Sequence, residues 1–176
     1  ARRQGISEAA VFKHFPRKND LIRAVFDFYA KFDGDIAVSA HKQPDPIYSI
    51  VYFVLRYSEY YGNYPQITAL MQSYHVLACD DDFRDDIQRI YNSRLHLLGE
   101  LITKAQQARL LSENIEAQQL ADIVWGYFRD VCLQWSFTHF NFHLTNRVAL
   151  GLTPLLRAFM TAGSRSTGNA LSAYYG

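Results

Sequence analysis

Cysteine is scarce. Cys79 and Cys132 are the only two in 176 residues, too few and too far apart for a disulfide framework. No apolar run is long enough to span a bilayer. The chain has no Gly-rich phosphate loop, no His-Glu-x-x-His run, no Gly-x-Ser-x-Gly elbow and no Cys-x-x-Cys pair. Its carboxylates fall mostly in capping or solvent-facing contexts. Catalysis therefore has no sequence support, and a non-enzyme without cofactor is expected. His75 with Cys79, and His139 with His143, have a spacing that zinc tolerates, but no second pair lies nearby. Packing or solvent roles are expected there, and no metal. The cysteine usage fits a reducing, bacterial-type cytoplasm.

What is present reads as globular: 49% of residues are hydrophobic and 20% charged. The length suits one sizeable core plus a small appended unit. Net charge is only +1, yet it is unevenly placed, with residues 1–32 carrying +4 and the remainder −3. A basic head on a mildly acidic body suits a protein whose head alone meets phosphate.

Within that head, Gly5-Ile6-Ser7-Glu8-Ala9-Ala10-Val11-Phe12-Lys13-His14-Phe15-Pro16-Arg17-Lys18 organises the rest. Gly5 suits a tight turn between helices, Ser7 is a good N-cap, and Glu8 adds charge to the first turn. Pro16 ends this short helix, and Asn19 or Asp20 can cap the next. This layout, a turn, a short helix with polar residues outside and a further helix, is that of a helix-turn-helix reader. The run from Ala1 to Leu21 resembles the recognition-helix signature of TetR-family transcriptional regulators. Ala10 and Phe12 stand where that family often carries hydroxyl-bearing residues. The resemblance implies that Ser7, Glu8, Ala9, Lys13 and His14 face double-stranded operator DNA, with Lys18 on a phosphate. It also implies a homodimer built through the last two helices.

The body follows as a series of helical patterns. Leu21, Val25, Phe28, Tyr29, Phe32 and Ile36 recur at helical spacing from Asn19 to about Ala40. This helix is shared by head and body, with Gly34 as a candidate soft point. After a break at 41–46, Pro46 opens a helix apolar nearly all round, carrying Tyr48, Tyr52, Tyr57, Tyr60 and Tyr61. It is a buried core helix, a cavity lining, or both, because buried phenols need partners. A helix over about 66–77 precedes Asp80-Asp81-Asp82, expected to cap the long helix from Phe83 to about Ala108. Further helices are expected over 116–143, with a large apolar surplus, and from Thr145 or Asn146 through Phe159, kinked at Pro154. Gly126, Ala149, Gly151 and Ala158 leave room for close helix approach. The tail, 163–176, is rich in Gly, Ser and Thr and reads as flexible.

The expected molecule is all-α, with a partial helix-turn-helix at 1–32, a regulatory, ligand-binding and dimerisation domain at 33–162, and a tail. Its expected role is a regulator, in the first instance a repressor released by a small apolar or aromatic ligand, associated with the nucleoid. Tyr52, Arg56, Tyr60, His75, Trp125 and Arg129 are the candidate ligand-binding residues, since they put polar tips on apolar helices. Two alternatives remain open: a DNA-bound scaffold recruiting a protein partner, and a small helical enzyme or carrier. Because Ala1-Arg2-Arg3-Gln4 reads as the last turn of a second helix, the first helix of the bundle is expected upstream of residue 1. The 176-residue chain should then bind operator weakly and a version with the upstream helices tightly. Equal affinities in a gel-shift titration would refute that expectation.

Overall fold

The computed structural model describes residues 13–164, with the side chains of Ile67, Ala69 and His75 excepted. Within that span lie α1 (Lys18–Ala30), α2 (Asp33–His41), α3 (Pro46–Asn63), α4 (Gln66–Gln72), α5 (Tyr74–Leu77), α6 (Arg84–Gln107), α7 (Ala117–Phe137) and α8 (Leu144–Phe159). The all-α class follows, and the packing is organised around α3. Pro46 supplies a preset φ at its first turn, and the Asp45 carboxylate accepts from the Tyr48 N–H at 2.8 Å. Ile50, Val51, Phe53, Val54 and Tyr61 on α3 are fully buried, because α2, α4, α6, α7 and α8 all pack on this helix. Each such side chain contributes about 1.5–3 kcal/mol by leaving water.

The helical periods place most elements correctly, and the deviations have identifiable causes. The shared helix expected over Asn19–Ala40 breaks at Lys31–Phe32, not at Gly34. The helix expected over 66–77 is interrupted at Ser73, giving α4 and α5. Asp80, Asp81 and Asp82 do not cap α6, whose N-cap is Phe83. Asp80 instead turns its carboxylate onto the Asp82 N–H at 3.0 Å, and Asp81 pairs with Arg84 at 2.7 Å. The helix expected over 116–143 stops at Phe137, because His139 and Phe140 take left-handed φ values of 53° and 64°. The last helix is capped by the His143 ring, which accepts from the Asn146 N–H at 3.3 Å. Ser164 is buried and donates to the Leu110 carbonyl at 2.8 Å, so the residues just past α8 are tied back to the α6–α7 turn.

The α7–α8 contact has one close point. Tyr127 on α7 donates to the carbonyls of Arg147 and Val148 at 2.9 and 3.1 Å, laying its ring over Gly151 of α8. A Cβ at Gly151 would sit 2.1 Å from the Tyr127 oxygen. Gly151 thus serves as a socket, whereas Gly126 has open space beside it. Gly151→Ala should cost roughly 1–3 kcal/mol in chemical denaturation by displacing that ring. In a Tyr127→Leu background the same change should cost nothing or stabilise α8; additive effects would show that the socket is not the cause.

Candidate functional site

The break between α1 and α2 is where the basic N-terminal segment meets the body, and neither proline nor glycine makes it. In a continuous helix the Asp33 N–H would bond the Tyr29 carbonyl. Here that carbonyl accepts from Arg94 Nη2 at 2.9 Å. A side chain inserted into the backbone ladder is a recognised cause of a sharp bend. Arg94 reaches the break from the middle of α6, where it is only 2% exposed. Its Nε and Nη2 also hold the two Asp33 oxygens at 2.9 and 2.8 Å, a bidentate pair. Asp33 thereby starts α2 while its carboxylate neutralises the guanidinium.

Tyrosines complete the shell. Arg94 Nη1 donates to the Tyr61 hydroxyl at 3.1 Å, and the Tyr29 and Tyr61 hydroxyls share a short hydrogen bond. Tyr57 donates to Asp33 at 2.8 Å. The guanidinium lies 4.0 Å from the Tyr29 ring centroid and 4.8 Å from that of Tyr57, two cation–π contacts in a dry setting. Tyr60 spends its proton on the Phe28 carbonyl at 2.7 Å, a second tie from α3 to α1. Burial pushes the Tyr57, Tyr61 and Tyr74 phenols well above the usual tyrosine range, and Tyr60 up to about 12. Burial alone disfavours the Arg94 charge, but the surrounding phenols and Asp33 hold it firmly ionised.

A second link joins α1 to the start of α6. Asn19 donates its amide to the Asp82 carboxylate, and Arg23 reaches the Asp82 carbonyl at 3.2 Å and Asp86 at 3.7 Å. The acidic run at 80–82 thus holds the head-bearing helix from outside, while Arg94 holds it from inside. Lys18, one residue before Asn19, is exposed at the first position of α1, and Asp20 folds back onto the Arg17 N–H at 3.2 Å.

No family model matches the sequence, and no curated protein matches it. Solved structures do. A TetR-family transcriptional regulator from Marinobacter aquaeolei VT8 superposes with a TM-score of 0.77 at 18% identity, over 99% of this chain and 85% of that one. The transcriptional regulator FadR from Bacillus subtilis, solved in complex with stearoyl-CoA, gives 0.73 at 13% identity, over 89% and 84%. The fatty acid degradation regulator FadR from Bacillus halodurans gives 0.72 at 16%, over 86% and 82%. The fold is that of a TetR-family regulator.

On this TetR-like frame the residues singled out from sequence are spread widely. Ser7, Glu8 and Ala9 lie outside the described residues; Lys13 and His14 are helical and exposed. Tyr60 and Trp125 are buried, Trp125 against Phe53, Tyr57 and Phe128. Arg56 is exposed, paired with Glu59 at 2.6 Å and stacked on half-buried Tyr52. Arg129 lies over the Tyr91 ring at 5.5 Å and lines a half-open groove of about 430 Å³ between α4 and α7, with Met71, Gln72, Gly126, Asp130 and Leu133. The side chain of His75 lies outside the described set. Sequence reading missed Arg94, although a signal was there: it occupies the apolar stripe of α6 defined by Ile87, Ile90, Leu98 and Leu101. A cation in register with core positions calls for a buried acid, and Asp33 is that acid.

Folding stability should fall above pH 10, the ordinary tyrosine value. Above it the unfolded chain loses phenol protons that Tyr57, Tyr61 and Tyr74 retain in the fold. Each contributes up to about 1.4 kcal/mol per pH unit to that decline. Denaturant titrations at several alkaline pH values should show a shallower slope for Tyr61→Phe; an unchanged slope would mean this phenol is not protected.

Proposed function

We propose that this chain is a DNA-binding transcriptional regulator, a repressor whose operator binding is released by a small, largely apolar or aromatic ligand. The observation that carries this reading is the Arg94 anchorage, which ties the helix leading into the basic N-terminal segment to the buried middle of the body. Anything that alters the packing around Arg94 alters the setting of α1. A ligand favouring one setting shifts the population toward it, and operator should weaken ligand binding by the same factor. The TetR-like fold supports the reading, as does a structural neighbour that holds stearoyl-CoA. Residues 1–32 would act as the DNA-binding unit, with Ser7, Glu8, Ala9, Lys13, His14 and Lys18 on the duplex. Residues 33–162 would bind ligand and dimerise.

Dimerisation through α7 and α8 fits the apolar side chains left exposed there, Ile123, Phe137 and Leu150. Pairing them across a two-fold axis would space two heads for half-sites about one turn of B-DNA apart. Duplexes selected from a random pool should be bound by a dimer. Combining Arg94→Met with Asp33→Asn removes the buried cation together with its half-buried partner, which spares the fold the cost of stranding one charge. The double variant should keep its helicity and dimer yet lose roughly 5- to 150-fold in operator affinity, the ordinary range of coupling. Gel-shift titration checks this; unchanged affinity would show that α1 is not set through Arg94.

A further inference from the structure

The phenols around Arg94 do not balance as hydrogen-bonding groups. Tyr57 has given its proton to Asp33, and Tyr60 to the Phe28 carbonyl. Tyr29, Tyr61 and Tyr74 remain, with three O–H donors between them. Tyr61 already accepts from Arg94, so that contact uses none of the three. The Tyr29–Tyr61 bond uses one, whichever oxygen donates. Tyr74 is 8% exposed and its hydroxyl is fully buried, with no partner at good hydrogen-bond geometry among the described residues and only a weak approach to the Tyr29 hydroxyl. With Tyr29 and Tyr74 also close enough to share a proton, one buried O–H group is still left without an acceptor, at a cost of about 1–3 kcal/mol. The Tyr29 and Tyr74 rings meet edge to face at 5.8 Å.

We infer that the Tyr29–Tyr61–Tyr74 cluster is the recognition point for a neutral hydrogen-bond acceptor, such as a ketone, ester or amide carbonyl, on an aromatic or apolar ligand. The inference rests on the ligand-responsive reading above and names the chemistry its effector must carry. A donor without an acceptor selects for a lone pair, which a carbonyl oxygen supplies. Neutral acceptors are preferred over carboxylates because the local positive charge is already matched by Asp33. The surroundings also resist a buried anion, as the raised phenol ionisations show. The rings next to the cluster are aromatic. Tyr74 meets Tyr91 at 6.3 Å, and Tyr91 lies under Arg129 at the α4–α7 groove. Arg129, Tyr91, Tyr74 and Tyr29 thus form a continuous line of contacts from that groove to the end of α1. An acceptor placed on Tyr29 acts one residue from the end of α1, on the residue whose carbonyl Arg94 holds.

A matched set of probes tests this. Acetophenone carries the acceptor, ethylbenzene has nearly the same shape without it, and benzoate adds a charge. Titrated calorimetrically into the full chain, acetophenone should bind about tenfold more tightly than ethylbenzene, the effect of one net hydrogen bond, and more tightly than benzoate. Tyr74→Phe deletes a hydroxyl that only approaches Tyr29, and Tyr29 keeps its bond to Tyr61, so the fold should be intact. In it the preference should shrink to about twofold or less, with ethylbenzene affinity retained. Equal affinities in the wild type, no binding by either probe, or a preference that survives Tyr74→Phe would overturn the inference; a buried water satisfying these phenols would give the first of these. Should acetophenone bind in a Tyr74-dependent way without weakening operator binding, the recognition point stands and the effector reading fails.

Discussion

A single guanidinium, taken out of water and given a complete set of partners, holds α1, α2 and α3 to the middle of α6. Removing the charge of Arg94 from solvent is costly, and that cost is offset only while every partner stays in place. Asp33 supplies the opposite charge, the Tyr29 carbonyl a further acceptor, and the phenols a polarisable wall. These partners come from α1, α2 and α3, and with Arg94 on α6 they join four elements. The interaction is therefore cooperative in geometry: none of the four can move alone without leaving a buried polar group unmatched. Stability and positional control come from the same contacts.

The outline of the fold was legible from periodicity. Pro46 marked the start of α3, and the stripe of Leu120, Ile123, Val124, Tyr127, Phe128, Val131, Cys132 and Trp135 marked α7, although Ile123 is exposed and the helix ends at Phe137. What escaped were features decided by contacts remote in the chain. Nothing local at Lys31–Phe32 announces a break, because its cause sits more than sixty residues later at Arg94. The acids at 80–82 have the composition of a cap, and only the arrival of Asn19 and Arg23 gives them another use. His139 and Phe140 adopt a backbone setting that neither residue favours, held by Phe140 against the Trp135 ring at 4.7 Å. Local propensity lost to tertiary packing in each case.

The candidate site was half visible. Tyrosine-rich α3 was recognisable as more than packing, since so many phenols at helical spacing require acceptors. The acceptors themselves could not be named, for Asp33 and Phe28 belong to other helices. Polar tips on apolar helices proved too coarse a criterion to group residues: Tyr60 and Trp125 lie inside near the cluster, whereas Arg56 stands outside with Glu59. A sharper criterion was the charge of Arg94 in register with an apolar stripe.

The seating of Tyr127 over Gly151 has a bearing on how such a molecule can move. Sliding α8 by one helical turn would bring Arg147 or Leu155 under that ring, and neither leaves the space that glycine does. The two helices consequently behave as an indexed pair, stable in one register and blocked from those adjacent. Displacement within the body must then be absorbed elsewhere, at the short helices α4 and α5 or at the bend ahead of α2.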